Sequence, residues 1–293
     1  MASIERTAYP RFKRSPLARE LDALYTPTDE ELQFARTLAR KAQPRFGLLL
    51  LLKAFQRLGY FPPVVEIPAT VVQHVRVAAG IGADVSPVYE ESRTLYRHHQ
   101  AVREWLGVVA YGEDGLRVAS DAMATAAEVM DNPADLINVA IEELVRQRIE
   151  LPAFSTLDRL SRRIRTLVNQ RLFASVTGRL SEDECGQLDA LLAVGSARNK
   201  SLFFALKTLP KRSSLQHLQD LLDHFVKLSE TVGADHHLAG IPHAKIRHFA
   251  AEAKVLDVAE LKNFKAPKRY MLLLSLIHRA RVQVRDDLAG RIL

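Results

Sequence analysis

The chain has 293 residues, of which 47% are hydrophobic and 26% are charged. This composition is ordinary for a globular protein and excludes a disordered, collagenous or membrane-spanning chain. The 41 Lys and Arg side chains outnumber the 34 Asp and Glu side chains, and the net charge of +7 favours an acidic partner such as nucleic acid.

Features that report on the cellular compartment point to the cytoplasm. Cys185 is the single cysteine, so the chain by itself forms neither an internal disulfide nor a thiolate metal site, which fits a reducing cytosol. The first residues lack the apolar segment of a secretory signal. The apolar runs at 48–52 and 271–277 are far shorter than the ~20 residues of a membrane-spanning helix. We therefore expect a cytoplasmic protein with no membrane partner.

Helix-start signals occur at five points along the chain. A capping side chain followed by proline predicts three starts, at Ser15, Ser86 and Asn132. Capping-box spacing predicts two more, at Thr28 with Glu31 and at Ser181 with Glu184. Helices are therefore expected to begin near residues 16, 29, 87, 133 and 182.

Apolar periodicity predicts helices between these points. Apolar residues recur at intervals of three and four within residues 133–149, and again at Leu215, Leu218, Leu221, Leu222 and Phe225. No stretch shows the two-residue alternation and hairpin turns of paired strands. We predict an all-α fold of two tandem helical bundle domains with helix-turn-helix-like character.

The domain border is expected at residues 149–154, where one helix ends and Pro152 restarts the chain. This places the domains at residues 1–150 and 151–293. The charges divide at nearly the same point: residues 1–145 hold 16 basic and 19 acidic side chains, whereas residues 146–293 hold 25 and 15. The second half is therefore the more basic one.

Arginine is concentrated in a helix predicted at residues 154–179. Its apolar face is expected to consist of Leu157, Leu160, Ile164, Leu167, Val168 and Leu172. The side chains that project away from this face include Arg159, Arg162, Arg163 and Arg165. Residues 146–179 contain eight arginines, no lysine and only two acids, which fits phosphate recognition because a guanidinium group binds two phosphate oxygens at once.

Two further basic clusters are candidates for phosphate contacts. The first lies at the junction of two predicted helices on either side of Pro44, and consists of Arg36, Arg40, Lys41 and Arg45. A helix pair there would direct free amide groups and Arg45 at an anion. The second lies around Pro267, where an apolar helix is predicted to start near residue 268, and consists of Lys262, Lys265, Lys268 and Arg269. For the arginine-rich helix, a solvated helix face or aliphatic stems that cover apolar surface are alternative interpretations. The cluster around Pro44 is also compatible with an ordinary helix pair of a bundle, and the third cluster with a charged loop before an apolar helix.

Signatures of catalysis or metal binding are missing from the sequence. We find no phosphate-binding glycine loop, no nucleophile elbow and no paired carboxylates in a strand-rich frame. His236, His237, His243 and His248 match no zinc spacing. The adjacent pair His98 and His99 is expected to be solvated at a helix surface. We therefore predict no catalytic residue, no metal site and no cofactor.

Several stretches together resemble the opening of transposases of the Tn-three family. They lie at residues 24–32, 40–48, 59–62, 96–107, 151–153, 180–192 and 268–272. Arg45 and Gly47 match the family pattern, whereas Pro44 and Phe46 stand where the family usually has Asn and Leu. The resemblance extends over nearly the whole chain.

The resemblance implies the N-terminal DNA-binding region of a replicative transposase, which recognises terminal inverted repeats. It also implies that the carboxylate-metal catalytic core, which would use magnesium, lies downstream and is not part of this chain. The expected partners are double-stranded DNA, the rest of a transposase or a second copy of the chain, in a bacterial cytoplasm.

Three functions remain open at this point. The first is sequence-specific DNA binding, in which the basic clusters hold phosphates along one cationic trough. The second is a helical protein–protein interaction module that uses the acidic stretch at residues 58–145. The third, an enzyme, has the least support because no catalytic set converges.

Overall fold

The computed structural model describes residues 3–13, 15–89, 91–193, 202–207 and 232–292, together with Gln219, Asp223 and Val226. The described α-helices, in chain order, are α1 (Ala18–Tyr25), α2 (Asp29–Leu38), α3 (Ala42–Leu58), α4 (Ala69–Ala78), α5 (Ser92–Leu106), α6 (Glu113–Val129), α7 (Pro133–Arg146), α8 (Phe154–Thr177), α9 (Glu182–Ala190), α10 (Leu202–Lys207), α11 (Ala234–His237), α12 (His243–Val255), α13 (Val258–Asn263) and α14 (Ala266–Ile292). In this part of the chain the extended pairing is confined to an isolated bridge between Val109 and Ile149. The predicted all-α fold is confirmed.

The chain divides into two compact units. The first consists of Met1–Met123 and Pro133–Arg162, and the second of Ala124–Asn132 and Arg163–Leu293. Compact units need not be domains that fold alone, so the predicted domains at 1–150 and 151–293 stay a prediction. None of the described helices is both long enough and apolar enough to span a membrane.

Helix α3 is the core of the first unit. Residues Phe46 to Phe55 are all buried, so the apolar run at 48–52 is the interior of a globular unit. The other side chains of this core come from α1, α2, α4 and α5. Helix α3 ends at Gly59, whose φ of 71° is a left-handed conformation that glycine adopts without strain.

Helix α14 has the same role in the second unit. Its residues Tyr270 to Ile277 are buried, so the second apolar run, at 271–277, is also interior. Side chains from α8, α9, α10, α12 and α13 pack against it. The segments at 48–52 of α3 and 271–277 of α14 are surrounded by other helices, so side chains on all sides of each helix are buried. This explains why both segments are apolar on every side.

Both capping boxes are confirmed. The Thr28 hydroxyl accepts from the Glu31 amide, and the Glu31 carboxylate accepts from the Thr28 amide. Ser181 and Glu184 make the same reciprocal pair at the start of α9. Of the proline signals, the one after Asn132 correctly marks the start of α7 at Pro133, and the one after Ser15 lies two residues before the start of α1 at Ala18.

The helix start predicted near residue 87 is wrong. Helix α5 begins at Ser92, and the segment before it is held extended by contacts with distant residues. The Gln43 side chain donates to the Val88 carbonyl (3.0 Å), and the Tyr89 hydroxyl hydrogen-bonds the Nδ1 atom of His98 (2.7 Å). Tertiary contacts therefore override the local capping signal. The helix predicted around Leu215, Leu218, Leu221, Leu222 and Phe225 lies outside the described residues.

The predicted face of α8 is wrong in part. Leu157 is buried as expected, but Leu167 is 43% exposed, whereas Asp158, Ser161 and Asn169 are buried. The buried polar groups have partners: Asn169 donates to the carboxylate of Asp131 (2.7 Å). The helix therefore turns a polar stripe inward that hydrophobic periodicity alone does not reveal.

The solvated position expected for His98 and His99 is also wrong. His98 is 1% exposed, and the ring of His99 stacks on Phe61 with centroids 3.9 Å apart. Both rings fill space beside the core of the first unit. Burial lowers the pKa of each imidazole to about 4, with the nearby positive charges of Arg97 and Arg103 acting in the same direction.

Candidate nucleic-acid interface

The first basic cluster forms an elbow between α2 and α3 in the first unit. This α2–α3 elbow consists of Arg36, Arg40, Lys41 and Arg45. The first three side chains are exposed, and Arg45 is half-buried. None of the four makes an ion pair with a described residue, so their charges are available to a ligand.

The elbow is held in place by a buried ion pair. Glu31 of α2 and Lys53 of α3 lie 3.2 Å apart with both side chains less than a tenth exposed, and Gln56 donates to the same carboxylate (2.6 Å). This pair joins the first turn of α2 to the last turns of α3, at the end of the helix pair away from the elbow. It thereby holds together the two helices that carry the four basic side chains.

Helix α3 starts at Ala42, so Pro44 lies inside its first turn and not between two helices as predicted. No side chain caps this helix. The amide groups of Ala42 and Gln43 have no carbonyl one turn earlier to bind, and Pro44 has no amide hydrogen. The α2–α3 elbow thus combines four cationic side chains with two free amide groups.

The arginines of α8 divide into two groups. Arg159 and Arg163 are exposed and make no ion pair with a described residue. Arg162 forms an ion pair with Asp158 one turn earlier, and Arg165 lies 3.6 Å from the Asp131 carboxylate. The four arginines predicted to act together therefore comprise two that have no carboxylate partner and two whose charges are partly neutralised by aspartates.

The second unit contains a cleft of about 920 Å³ beside α8 and α12, which we call the α8–α12 cleft. It brings together Arg165, Lys265 and Lys268, which the sequence had placed in two separate clusters. Aromatic rings complete its walls, at Phe173, Phe249 and Phe264. Cationic groups interleaved with aromatic faces are a combination found in nucleic-acid sites.

Asp131 lies at the floor of this cleft with three basic partners. Its carboxylate accepts from Lys245 (2.6 Å) and from His248 (2.9 Å), and Arg165 is the third partner. Burial alone would raise the pKa of Asp131, but hydrogen bonds from His248, Lys245 and Asn169 outweigh it and lower the pKa well below its usual range. One permanent negative charge therefore faces an excess of positive charge.

Lys245 is fully buried, with 0% of its surface exposed. Burial lowers its pKa, and the hydrogen bond to Asp131 opposes that shift. Its ammonium group also donates to the Asn169 side chain (2.7 Å). The three residues form a closed polar network that fixes α8, α12 and the segment at Asp131 around the cleft.

The remaining predicted residues have different roles. Lys265 is exposed at the cleft rim. Lys268 pairs with Glu252 (2.7 Å) and lies over the Phe264 ring. Arg269 pairs with Asp189 of α9 (3.0 Å) and does not line the cleft, so its position favours a structural role.

Sequence reasoning missed Asp131, Lys245 and the contact of His248 with them. Asp131 and Lys245 are 114 residues apart, and Asn169 and Lys245 are 76 apart, so no local pattern indicates the network. In the described part of the chain no three His, Cys, Asp or Glu side chains converge as a metal site requires.

The sequence of the chain is similar to those of known proteins. A sequence-family model with the description "Domain of unknown function (DUF4158)" matches residues 1–164. The chain is 23% identical over 292 residues to the transposase for transposon gamma-delta of Escherichia coli (strain K12), covering 98% of this chain and 29% of that protein. It is also 23% identical to the transposase for transposon Tn501 of Pseudomonas aeruginosa, covering 92% of this chain and 27% of that protein.

A third relative gives the same picture. The transposase for transposon Tn3926 of Escherichia coli is 25% identical over 276 residues, covering 92% of this chain and 27% of that protein. The chain thus spans less than a third of the length of each of these relatives. The resemblance to Tn-three family transposases noted in the sequence is confirmed.

Proposed function

Since the chain belongs to the family described as a domain of unknown function (DUF4158), and since it is similar along most of its length to transposases, we propose that it binds double-stranded DNA in transposition. Its target is the terminal inverted repeat of a transposable element. The observation that carries the proposal is the α8–α12 cleft, in which Arg165, Lys265 and Lys268 converge beside aromatic rings.

Two surfaces would hold phosphates. One is the α8–α12 cleft, and the other is the α2–α3 elbow, where four cations and two free amide groups form an anion-binding surface. Each phosphate that they neutralise releases counterions from the duplex, so binding weakens as salt rises. These contacts fix the position of the protein on DNA and carry no sequence information by themselves.

The proposal gives this chain a binding role without a catalytic step. The described residues do not offer a carboxylate set for magnesium, so no step is assigned to that ion. Cleavage of duplex DNA by the purified chain with magnesium would contradict this part of the proposal.

A polarisation assay tests the binding role. The whole chain is titrated against a fluorescent duplex that carries the inverted repeat, and against a shuffled duplex of equal length, at ~100 mM salt. We expect tighter binding to the inverted repeat. Equal affinity for the two duplexes would leave only non-specific attraction to a basic surface and would overturn the proposal.

Charge reversal locates the surface. Lys265→Glu at the cleft rim should weaken binding to both duplexes by about tenfold and lower the slope of log affinity against log salt by about 1 or more. Arg117→Glu is the matched control, because Arg117 is an exposed helical side chain that pairs with Asp114 and is a member of neither basic surface. Identical affinities for the two variants would remove the α8–α12 cleft from the interface.

A second candidate function, docking of another protein, is favoured by an apolar cleft in the first unit. This α2–α5 cleft has a volume of about 820 Å³. Phe34 and the 43% exposed Trp105 stack within it (4.4 Å), and Asp29, Glu30 and Glu104 line it as well. The charge pattern fits a basic amphipathic helix, for example from the remainder of a transposase.

Trp105 provides the test for that second function. Its fluorescence should change when the remainder of a related transposase is added, and Trp105→Ala should weaken that association without changing DNA affinity. An unchanged association would exclude docking at this cleft.

A further inference from the structure

Helix α12 presents an exposed face that is basic and otherwise made of small residues. The exposed side chains of its first three turns are His243, Ala244, Arg247, His248, Ala251 and Lys254. The opposite face is anchored by the buried Ile246, Phe249 and Ala253. The alanines leave the backbone of this face open to close approach, while the exposed Arg247 extends beyond it and His248 turns towards Asp131 (2.9 Å).

A second basic depression lies on the other side of α12 from the α8–α12 cleft. It consists of two adjoining hollows of about 220 and 370 Å³ between α12 and α14, both lined by Arg247 and Arg279. We call it the α12–α14 groove. Its other basic lining residues are Lys207, Lys254, His243, His278 and Arg285, and no Asp or Glu lines either hollow.

The basic side chains of the α12–α14 groove divide into paired and unpaired ones, and two of them, His278 and Arg285, pair with Asp235 and Asp286. Three exposed cations of the groove make no ion pair within the described residues: Arg247, Lys254 and Arg279. In the cleft, by contrast, Arg165 and Lys268 each face a carboxylate. The groove therefore adds three available positive charges that the three sequence clusters do not contain.

The entry to α12 is a tight turn. Helix α11 ends at His237, Gly240 has a φ of 80°, and Pro242 immediately precedes the first residue of α12. The left-handed glycine and the proline lie within the five residues that connect α11 to α12. A short helix, a turn and a second helix with an exposed polar face is the arrangement of DNA-binding helix pairs.

From these observations we propose that α12 is the helix that enters the major groove and contacts base edges, an inference that rests on the proposed DNA-binding function. Arg247 and Ala251 face the bases, while His248 stays bound to Asp131 at the edge of the helix face. The α8–α12 cleft and the α12–α14 groove, on the two sides of the helix, hold phosphates of the two strands. The dimensions agree, because a helix about 10–12 Å across fits a major groove about 12 Å wide.

The chemistry of the face suits this role. Arginine binds the O6 and N7 atoms of guanine with two hydrogen bonds, and the methyl group of alanine contacts the methyl group of thymine. An acidic protein is the rival occupant of the same basic surface. An acidic protein would need the positive charges of this surface but not the small side chains between them. Substitution at Ala251 and competition by poly-glutamate therefore distinguish an acidic protein from DNA as the occupant.

The test uses the whole 293-residue chain with the inverted-repeat duplex and the shuffled duplex. Arg247→Ala should reduce the preference for the inverted repeat by about 5- to 150-fold, since a bidentate arginine–guanine contact contributes that much discrimination. Arg279→Ala should weaken binding to both duplexes equally and lower the salt slope by about 1. Arg117→Ala is the control and should change neither quantity.

A bulky side chain tests the fit of the helix face. Ala251→Trp lies on an exposed surface, so far-ultraviolet circular dichroism should be unchanged, while affinity for the inverted repeat should fall at least tenfold. Unchanged affinity of this variant, or an unchanged preference in Arg247→Ala, would overturn the assignment of α12. Displacement of the DNA by poly-glutamate at equal charge concentration would also overturn it, in favour of an acidic protein partner.

The DNA-binding function and the role of α12 are contradicted by different results. If the unaltered chain shows no preference for the inverted repeat, the proposed function fails and the assignment of α12 fails with it. If the unaltered chain prefers the inverted repeat, and either Arg247→Ala keeps that preference or Ala251→Trp keeps the affinity, only the assignment of α12 is overturned.

Discussion

Gly47 shows how one position in the family-like stretch follows from packing. A Cβ atom on Gly47 would lie 2.7 Å from the ring of Tyr89, well inside van der Waals contact. The hydroxyl of the same Tyr89 binds the buried His98. Glycine at this position therefore lets the extended segment before α5 pack directly on α3, two residues after the basic Arg45.

His98 and His99 make the stability of the first unit depend on pH. Both imidazoles have a pKa of about 4 in the folded chain, lowered chiefly by burial from an ordinary value of 6.5. Above pH 6.5 both states are neutral and the histidines contribute nothing. As the pH falls from 6.5 to 4, the unfolded chain binds protons that the folded chain does not, so the free energy of unfolding decreases.

Urea unfolding between about pH 7 and about pH 5 measures this effect. Each buried histidine is expected to contribute up to about 1 kcal/mol of lost stability per pH unit in that window. His98→Gln removes one titrating group while its amide still accepts from Tyr89, so its unfolding free energy should depend less steeply on pH. The same slope in the variant and the parent chain would contradict the assignment to His98.

The sequence predicted the hydrogen-bond partners of some residues but not the burial of others, and the difference has a physical reason. Capping partners lie three residues apart, so the pairs at Thr28 and Ser181 are visible in the sequence. The environment of His98 depends on Tyr89 and on the core around α3, and nothing next to it in the chain reports that burial. Local hydrogen bonds were predictable, and burial created by distant packing was not.

The relative placement of α2 and α3 depends on the Glu31–Lys53 pair. Lys53→Met would leave the buried carboxylate of Glu31 without its cation, and we expect a loss of about 3 kcal/mol in the free energy of unfolding. The α2–α3 elbow should then be less well held, so DNA affinity should also fall. Urea unfolding and polarisation measure the two effects.

The double variant Glu31→Gln with Lys53→Met is the control for this prediction. It removes both charges, so no unpaired ion remains in the core, and it should be more stable than Lys53→Met alone. If Lys53→Met is as stable as the parent chain, the Glu31–Lys53 pair does not hold α2 and α3 together.

Helices were the most predictable elements, and their faces the least. The spans of α7 and α8 follow from proline and apolar spacing. The inward polar stripe of α8 does not, because Asp131 and Lys245 reach it from segments 38 and 76 residues away from Asn169. The α8–α12 cleft exists through those contacts, so the sequence provided its basic residues but not their convergence.

For the chain as a whole, composition and family resemblance were informative where local patterns were not. A net charge of +7 and the excess of basic residues in the second half indicated an acidic partner before any contact was known. The resemblance to Tn-three family transposases suggested a biological context, and the comparisons confirmed the resemblance. That the elbow and the basic second half form one trough stays a prediction, and a footprint of the chain on the inverted repeat would test it.

The fully buried ammonium group of Lys245 provides an internal control for a chemical labelling experiment. An amine-reactive acetylating reagent should modify Lys254 and Lys265, whose side chains are exposed, and should spare Lys245 for as long as the second unit stays folded. When a duplex is added, mass spectrometry should find the two outer lysines shielded and Lys245 unchanged. Label on Lys245 would instead reveal an opened unit, so shielding by a ligand and loss of structure are separated within a single sample.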